Sequence, residues 1–548
     1  MLGFLRSSAT EPGSTGEGGT QTTTLETAME TIGSDPRSRR RRRLLAALSG
    51  LLAAAVALGV AELVAAVVSP ASSPVVAVGD AVITLVPEPV KELAIATFGQ
   101  HDKTALIVGT LILTALYAMG VGLVSLRSPG LGTLGILAFG LVGLAAAVTR
   151  PASGPLDGLP SLAGAAAGVI TLRALIARLP ARDAVPADGP DLDRRRFLVA
   201  SGVALGVAAV AGGGGRLLKN RFDVSAARDA LVLPRPASAA GALPGGADLS
   251  RQVKGLTPLF TGNRDFYRID TALTVPQVRP ADYRLTLTGM FDSPGSHTLD
   301  ELMGRSDLIE RDITLTCVSN EIGGGLAGTA RWLGVPLGAL LREHGVRSGS
   351  DQLVCRSTDG MTIGAPTRSA LEVEDAMLAF GMNGEPLPVE HGFPVRMVIP
   401  GLYGYVSACK WLTRIQATTF AAFDAYWVER GWAAKGPIKV ASRIDTPASG
   451  RSFTAGRRAV AGVAWAQTRG IGRVEVRVDD GDWMDAELSP AVGLDLWRQW
   501  VLPHDFAAGR HTITVRATTL DGETQTGDLA DPFPNGASGW HSVVVTAR

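Results

Sequence analysis

Polar positions thin out into long apolar runs along roughly the first 215 residues, then return as short alternations for the remainder of the chain. Residues 44–68, 104–126, 131–148 and 159–176 are each long and apolar enough to cross a bilayer core, which takes about 20 residues. A fifth, weaker run of small residues covers 199–211. Between the first two runs, "VVAVGDAVITLVPEPVKELAIATFG" is broken by Asp80, Pro87, Glu88 and Pro89, which predicts an interfacial or re-entrant piece. From residue 255 to about 425, strand-like "YRLTLTGM", "DITLTC", "QLVCRS" and "VRMVIP" mix with helix-like "LDELMGR", "LGALLREHG" and "RSALEVEDAMLAFGM", predicting an α+β domain. Over 435–548 only short alternating segments remain, with a hairpin signal at Asp479 to Asp482. That spacing predicts an all-β sandwich of immunoglobulin type with a structural or dimerising role.

Composition and charge refine this layout. A mean hydropathy of +0.21 with 19% charged residues is too apolar for an ordinary soluble protein. The net charge of +1 gives no reason to expect a nucleic-acid partner. Residues 1–36, rich in Ser, Thr and Gly, read as a disordered cytoplasmic tail. "RSRRRRR" ahead of the first run fixes the cytoplasmic side, giving a multi-pass protein of the cell membrane, five helices over 37–215, with everything after about residue 215 outside. "DLDRRRFLVASGVALGVAAVAGGGG", with Arg194, Arg195, Phe197 and Leu198, resembles a twin-arginine export signal, and equally serves as the positive flank of the fifth helix. Residues 216–254, rich in Ala, Gly and Pro, read as a linker. The spans hold no histidine, so no haem is expected there, and a separate redox carrier must serve any electron-transfer chemistry.

Three scattered cysteines, Cys317, Cys355 and Cys409, are too few for a disulfide framework or a four-cysteine metal site. Cys355, in "QLVCRS", reads as a core strand residue. Cys317 stands in "RDITLTCVSNEIGGG", after a strand and before a polar, glycine-rich turn. It has three readings: a buried small hydrophobe, a nucleophile with His391 as base in a cysteine hydrolase, or a metal ligand. "EHGFPVRMVIPGLYGYVSACKWL" adds His391, Arg396 and Lys410, and "NRDFYRIDTAL" adds Arg264, Tyr267, Arg268 and Asp270. Such groups suit a phosphate-bearing heterocycle. The glycines after Cys317 are no phosphate loop, because no Gly-Lys-Ser/Thr follows.

The stretches "TLTCVSNEIGGGLAGTARWLGVPL", "MNGEPLPVEHGFPVRMVIPGLYGYVSACKWL" and "NGASGWHSVVV" together resemble the sulfite oxidase family of molybdopterin oxidoreductases, over about 255–548. The resemblance implies an α+β cofactor domain followed by an immunoglobulin-like domain that often dimerises. It makes Cys317 the protein's thiolate ligand to molybdenum, with one molybdopterin per chain. His391, Arg396 and Lys410 match pterin- and phosphate-holding positions, and Tyr267, Arg268, Asp270, Ser357 and Ser407 match less closely. The implied chemistry is two-electron oxygen-atom transfer at sulfur or nitrogen of a small molecule. Family members that oxidise sulfite carry arginines shortly after the cysteine, where this chain has Glu321 and Ile322, and an active-site tyrosine, which falls here on Phe380. Those departures favour a neutral substrate, a sulfoxide or N-oxide, over sulfite. A surface binding module without catalysis is the remaining alternative, opposed by the intact Cys317, Arg396 and Lys410.

Overall fold

A computed structural model describes residues 36–86, 90, 97, 102–179 and 190–548. The expected disordered tail, except its last residue, lies outside these, as do Pro87, Glu88, Pro89 and the side chain of Arg194. The chain divides into two compact units. One comprises residues 1–61, 108–141 and 161–213, and the other 62–107, 142–160 and 214–548.

Among the described residues, five helices are long and apolar enough to cross a membrane: Arg39–Val68, Lys103–Ser125, Pro129–Val148, Leu159–Ile176 and Arg195–Asp229. In the first unit these helices meet at small residues. A β-carbon on Gly50 would fall 2.0 Å from the Ala118 carbonyl oxygen, and one on Gly122 would fall 2.1 Å from that of Ala46. Backbones approach this closely only where side chains are absent, as small residues at helix interfaces allow. The segment expected to be interfacial holds a shorter apolar helix, Pro74–Leu85.

The second unit carries the β structure. Its strands β1 to β10 are Arg284–Gly289, Gly295–Thr298, Ile309–Thr316, Ala327–Pro336, Gln352–Ser357, Thr362–Pro366, Met377–Met382, Glu385–Pro386, Arg396–Val398 and Leu412–Thr418. They form two sheets, one ordered β2-β1-β10-β5-β6 and one ordered β3-β4-β7-β8, with β9 also paired to β7. One core joins them, built on Leu285, Leu287, Val335, Leu353 and Ile415 among others. The "RSALEVEDAMLAFGM" stretch is helical only over Thr367–Glu372. Met377–Met382 is a strand, because both its edges are taken by β4 and β9.

Two further sheets follow. Strands β11 (Ala441–Thr446), β12 (Ser452–Phe453), β13 (Gly456–Trp465), β14 (Ile471–Val478), β15 (Met484–Asp485), β16 (Glu487–Leu488), β17 (Arg498–Phe506), β18 (Gly509–Thr519) and β19 (His541–Ala547) pair as β11-β13-β17-β16 and β12-β19-β18-β14-β15. Trp500, Val474 and Val515 from both sheets share one core. The expected hairpin is present: β14 pairs antiparallel with β15 across a turn in which Asp479 has φ 54°.

Residues 216–254 are not a free linker. Val224 is 1% exposed in a core with Ile313 and Trp332, and Leu231 and Leu233 pack on the sheets. The Ala237 N–H donates to the Leu308 carbonyl, and the Glu310 N–H donates to that of Ser238. Small residues let this segment lie flat along the β3 edge. Alternation along a strand ordinarily leaves one face wet, yet Thr314 and Thr316 of β3 are buried. The Thr314 hydroxyl accepts from the Trp497 N–H at 2.8 Å, and the Gln467 amide donates to the Thr314 carbonyl at 2.7 Å. The C-terminal sheets therefore cover the second face of the strand that leads into Cys317.

Candidate functional site

Strand ends converge on one place. Cys317 follows the last residue of β3, Ser357 ends β5, Arg396 begins β9, and Lys410 and Trp411 stand just before β10, whose Leu412 pairs with Ser357. With Phe266, Tyr267, Asp270, Asp359, Met361, His391, Gly404, Tyr405, Trp427 and Trp432, these residues line an open cleft of about 930 Å³.

Cys317 is buried and not in a disulfide. Burial pushes its thiol above the ordinary range, opposed by hydrogen bonds from the backbone and hydroxyl of Ser319 and the backbone of Val318. Donors aimed at a sulfur suit a thiolate better than a core thiol. The turn after it is held firmly. The Asn320 side chain accepts from the Leu326 N–H at 2.7 Å, and Arg443 donates to the Gly324 carbonyl at 2.9 Å. Gly323 has φ +75°, and a β-carbon there would lie 2.3 Å from the His541 ring. The closing motif "NGASGWHSVVV" thus contributes His541 as a wall against which this turn is formed.

Arg396 is 5% exposed and makes no ion pair with any described carboxylate; one of its terminal nitrogens donates to the His391 carbonyl at 3.1 Å. Its Nε has no hydrogen-bond partner, and neither does the Ser357 hydroxyl, both buried. Burial draws the guanidinium down to about 10. Its planar face lies 5.1 Å from the Trp332 ring centre. His391 is buried with Nε2 3.0 Å from the Asn263 carbonyl, which assigns the proton to Nε2. Burial, then Arg396, hold its pKa down to about 4, so the ring is neutral at ordinary pH. No hydrogen bond joins His391 to Cys317; the ring's Nε2 is instead engaged by the Asn263 carbonyl.

Lys410 donates to Asp270 Oδ2 at 2.9 Å and to the Glu390 carbonyl at 3.2 Å. Burial brings its ammonium down to about 8, against the pull of Asp270. Next to it, Trp411 has φ +50°, a left-handed backbone that is costly for a bulky residue and recurs at functional sites. Its indole N–H donates to the Val389 carbonyl at 2.8 Å, which holds that turn. Gly392, φ +112°, lets the chain pass within 3.1 Å of Lys410 and Arg396 where a β-carbon would stand.

Not every expected residue reaches the cleft. The Ser407 hydroxyl donates to the Leu402 and Tyr403 carbonyls at 3.0 Å, is wholly buried, and is absent from the lining. Arg268 touches the site only through Asp270, at 2.8 Å. Arg264 is exposed and outside it. Phe380, read as standing in for a tyrosine, is 0% exposed in the core, because that position of β7 points between the two sheets. The inference from its missing hydroxyl therefore falls. Glu321 is exposed and Ile322 packs near Gly539, so neither lines the cleft. What remains is that no cation from that turn enters it. Conversely, Trp427, Trp432 and Tyr405 form an aromatic wall that went unread; the signal was the run "YWVERGW".

Among the described residues no cluster of three or more His, Cys, Asp or Glu side chains could hold a metal ion. A metal in this cleft would have Cys317 as its protein ligand and take its others from a bound organic group. The unpaired Arg396, the orphaned Ser357 hydroxyl and the Lys410 ammonium fit an anionic group of that kind.

Comparison with known proteins agrees. Residues 272–427 match the oxidoreductase molybdopterin binding domain. That part of the chain is similar to the sulfite oxidase family of molybdopterin oxidoreductases. Mitochondrial sulfite oxidase of Mus musculus is 30% identical over 300 residues, 45% of this chain and 54% of that protein. The human counterpart is 29% identical, covering 50% of this chain and 59% of that protein. The chain thus spans little more than half the length of these relatives. The nitrate reductase [NADH] of Solanum lycopersicum is 32% identical over 26% of this chain and 19% of that protein. Among solved structures, the sulfane dehydrogenase SoxCD from Paracoccus pantotrophus aligns with a TM-score of 0.46 at 23% identity, covering 53% of this chain and 83% of that one. Residues 272–427 thus carry a molybdopterin-binding domain of the oxidoreductase type.

Proposed function

We propose that this chain is a membrane-anchored, outward-facing molybdenum oxidoreductase that reduces a neutral sulfoxide or N-oxide, with Cys317 as the protein's ligand to the metal. When bound, the molybdenum pterin supplies two-electron oxygen-atom transfer, so that sulfoxide, two electrons and two protons give thioether and water. Arg396, Ser357 and Lys410 hold the anionic cofactor, and neutral His391 completes the pocket floor without adding charge. The five apolar helices act as anchor, the C-terminal sheets as an immunoglobulin-like module able to dimerise, and a separate carrier delivers electrons.

The observation carrying the substrate is the lining itself. Its only full cations are Arg396 and Lys410, the second ion-paired with Asp270, whereas Trp411, Trp427, Trp432, Tyr405 and Met361 offer an apolar and aromatic surface. A dianion such as sulfite would lose water there without matching charge-assisted donors, a loss of about 1.5–3 kcal/mol for each missing one. The test is turnover by purified full-length protein with a reduced dye as donor. Alkyl aryl sulfoxides are consumed and sulfite is not oxidised; sulfite oxidation with micromolar KM overturns the substrate assignment.

A further inference from the structure

One carboxylate in the cleft wall has a partner from far up the chain. Asp270 is nearly inaccessible, its side chain 3% exposed, and three cations converge on it. Lys410 and Arg268 donate to Oδ2 at 2.9 and 2.8 Å. Lys103, the first residue of the second membrane-length helix, donates to Oδ1 at 2.7 Å, and also to the backbone carbonyls of Asp270 at 3.1 Å and Ala272 at 2.7 Å. Lys103 belongs to the same compact unit as the cofactor sheets. Burial alone would push the Asp270 carboxyl up; Lys410 and then Lys103 outweigh it and hold the group well below the usual carboxylate range.

The surrounding packing shows this is a seated contact and not a stray ion pair. Leu273 fills the space beside Gly79, where a β-carbon would meet it at 2.6 Å, and Pro151 sits as close to Gly360. Gly79 lies in the Pro74–Leu85 helix, and Pro151 in the loop after the Pro129–Val148 helix. Both touch segments that supply the cleft: Asp270 and Thr271 on one side, Asp359 and Met361 on the other.

We infer that Lys103 is a positioning residue of the cofactor site, fixing Asp270 so that the carboxylate holds Lys410 charged and aimed into the cleft without presenting net negative charge to an anionic cofactor. Two consequences follow from removing the Lys103 ammonium. Asp270 keeps Lys410 and Arg268 but the anion site loses one of the three cations gathered on that carboxylate, and the 270–272 backbone loses the donor that pins it. The membrane-side segments are thus part of the binding site, which assigns them a role beyond anchoring. This rests on the cofactor reading proposed above.

Retention of cofactor by the detergent-solubilised full chain tests it, following pterin and molybdenum content during a high-salt wash. K103M and K103Q should release both on the order of tenfold faster than wild type, the effect expected of a lost charge-assisted bond, while K103R releases at the wild-type rate. In a D270N background, K103M should speed release far less than in wild type, since only the backbone carbonyls of Asp270 and Ala272 then remain to Lys103. Release from K103M and K103Q at the wild-type rate, or an undiminished K103M effect in D270N, overturns the inference. Wild-type protein devoid of pterin would instead overturn the cofactor reading, and this inference with it.

Discussion

At the scale of single residues, Arg396 carries the strongest signature of an anion-binding site. A guanidinium with no carboxylate beside it and an orphaned Nε is expensive to bury. Arg396→Met, similar in volume, should raise the stability of cofactor-free protein by about 1 kcal/mol in chemical denaturation while abolishing pterin retention. Cys317→Ser should reduce molybdenum from about one per chain to background by metal analysis, because a hydroxyl does not replace a thiolate toward a soft ligand field. His391 gives a pH test. Its folded pKa of about 4 lies below its ordinary 6.5, so between those values the unfolded chain binds a proton that the folded chain refuses. Cofactor-free protein should keep this contribution above pH 6.5 and lose about 3 kcal/mol of it as pH falls towards 4. His391→Gln should flatten that part of the stability profile. Cys317, His391, Arg396 and Lys410 were legible because each stands in a short motif beside a strand end. Ser407 misled because its motif says nothing of where a hydroxyl points, and here the preceding turn consumes it.

At the scale of elements, local pattern did well where a segment's neighbours are near in sequence and poorly where they are remote. Helices Leu299–Met303 and Leu337–Glu343 and the DDGD hairpin read correctly from their own residues. The 377–382 strand and the 216–254 segment did not, because the pairing that defines each is made with β4, β9 or β3. The turn after Cys317 shows the same effect. Its glycines read as flexibility, yet Gly323 combines a positive φ with the His541 ring in its β-carbon space. Gly323→Ala should therefore destabilise the chain by at least about 2 kcal/mol in chemical denaturation and lower pterin content, whereas Gly325, with open space around it, should tolerate alanine.

At the scale of the whole molecule, the apolar runs were read most directly, since a helix of this length and hydropathy needs no tertiary partner to be recognised. The protein should stay in the membrane pellet after an alkaline carbonate wash and enter solution only with detergent, and its recovery in the soluble fraction would count against anchoring. The dependence of Asp270 on Lys103 could not be read from either segment alone, because nothing local in either announces the other. The clamp on the Cys317 turn has a consequence for assembly. Cys317 emerges before His541 and Arg443, which shape the turn beyond it and lie more than one hundred residues downstream. Until those sheets have folded back, the thiol is attached to an unformed loop and the cleft is not yet a receptor. On the cofactor reading proposed above, loading would wait for the C-terminal sheets, and a chain stalled before them would be expected to lack pterin.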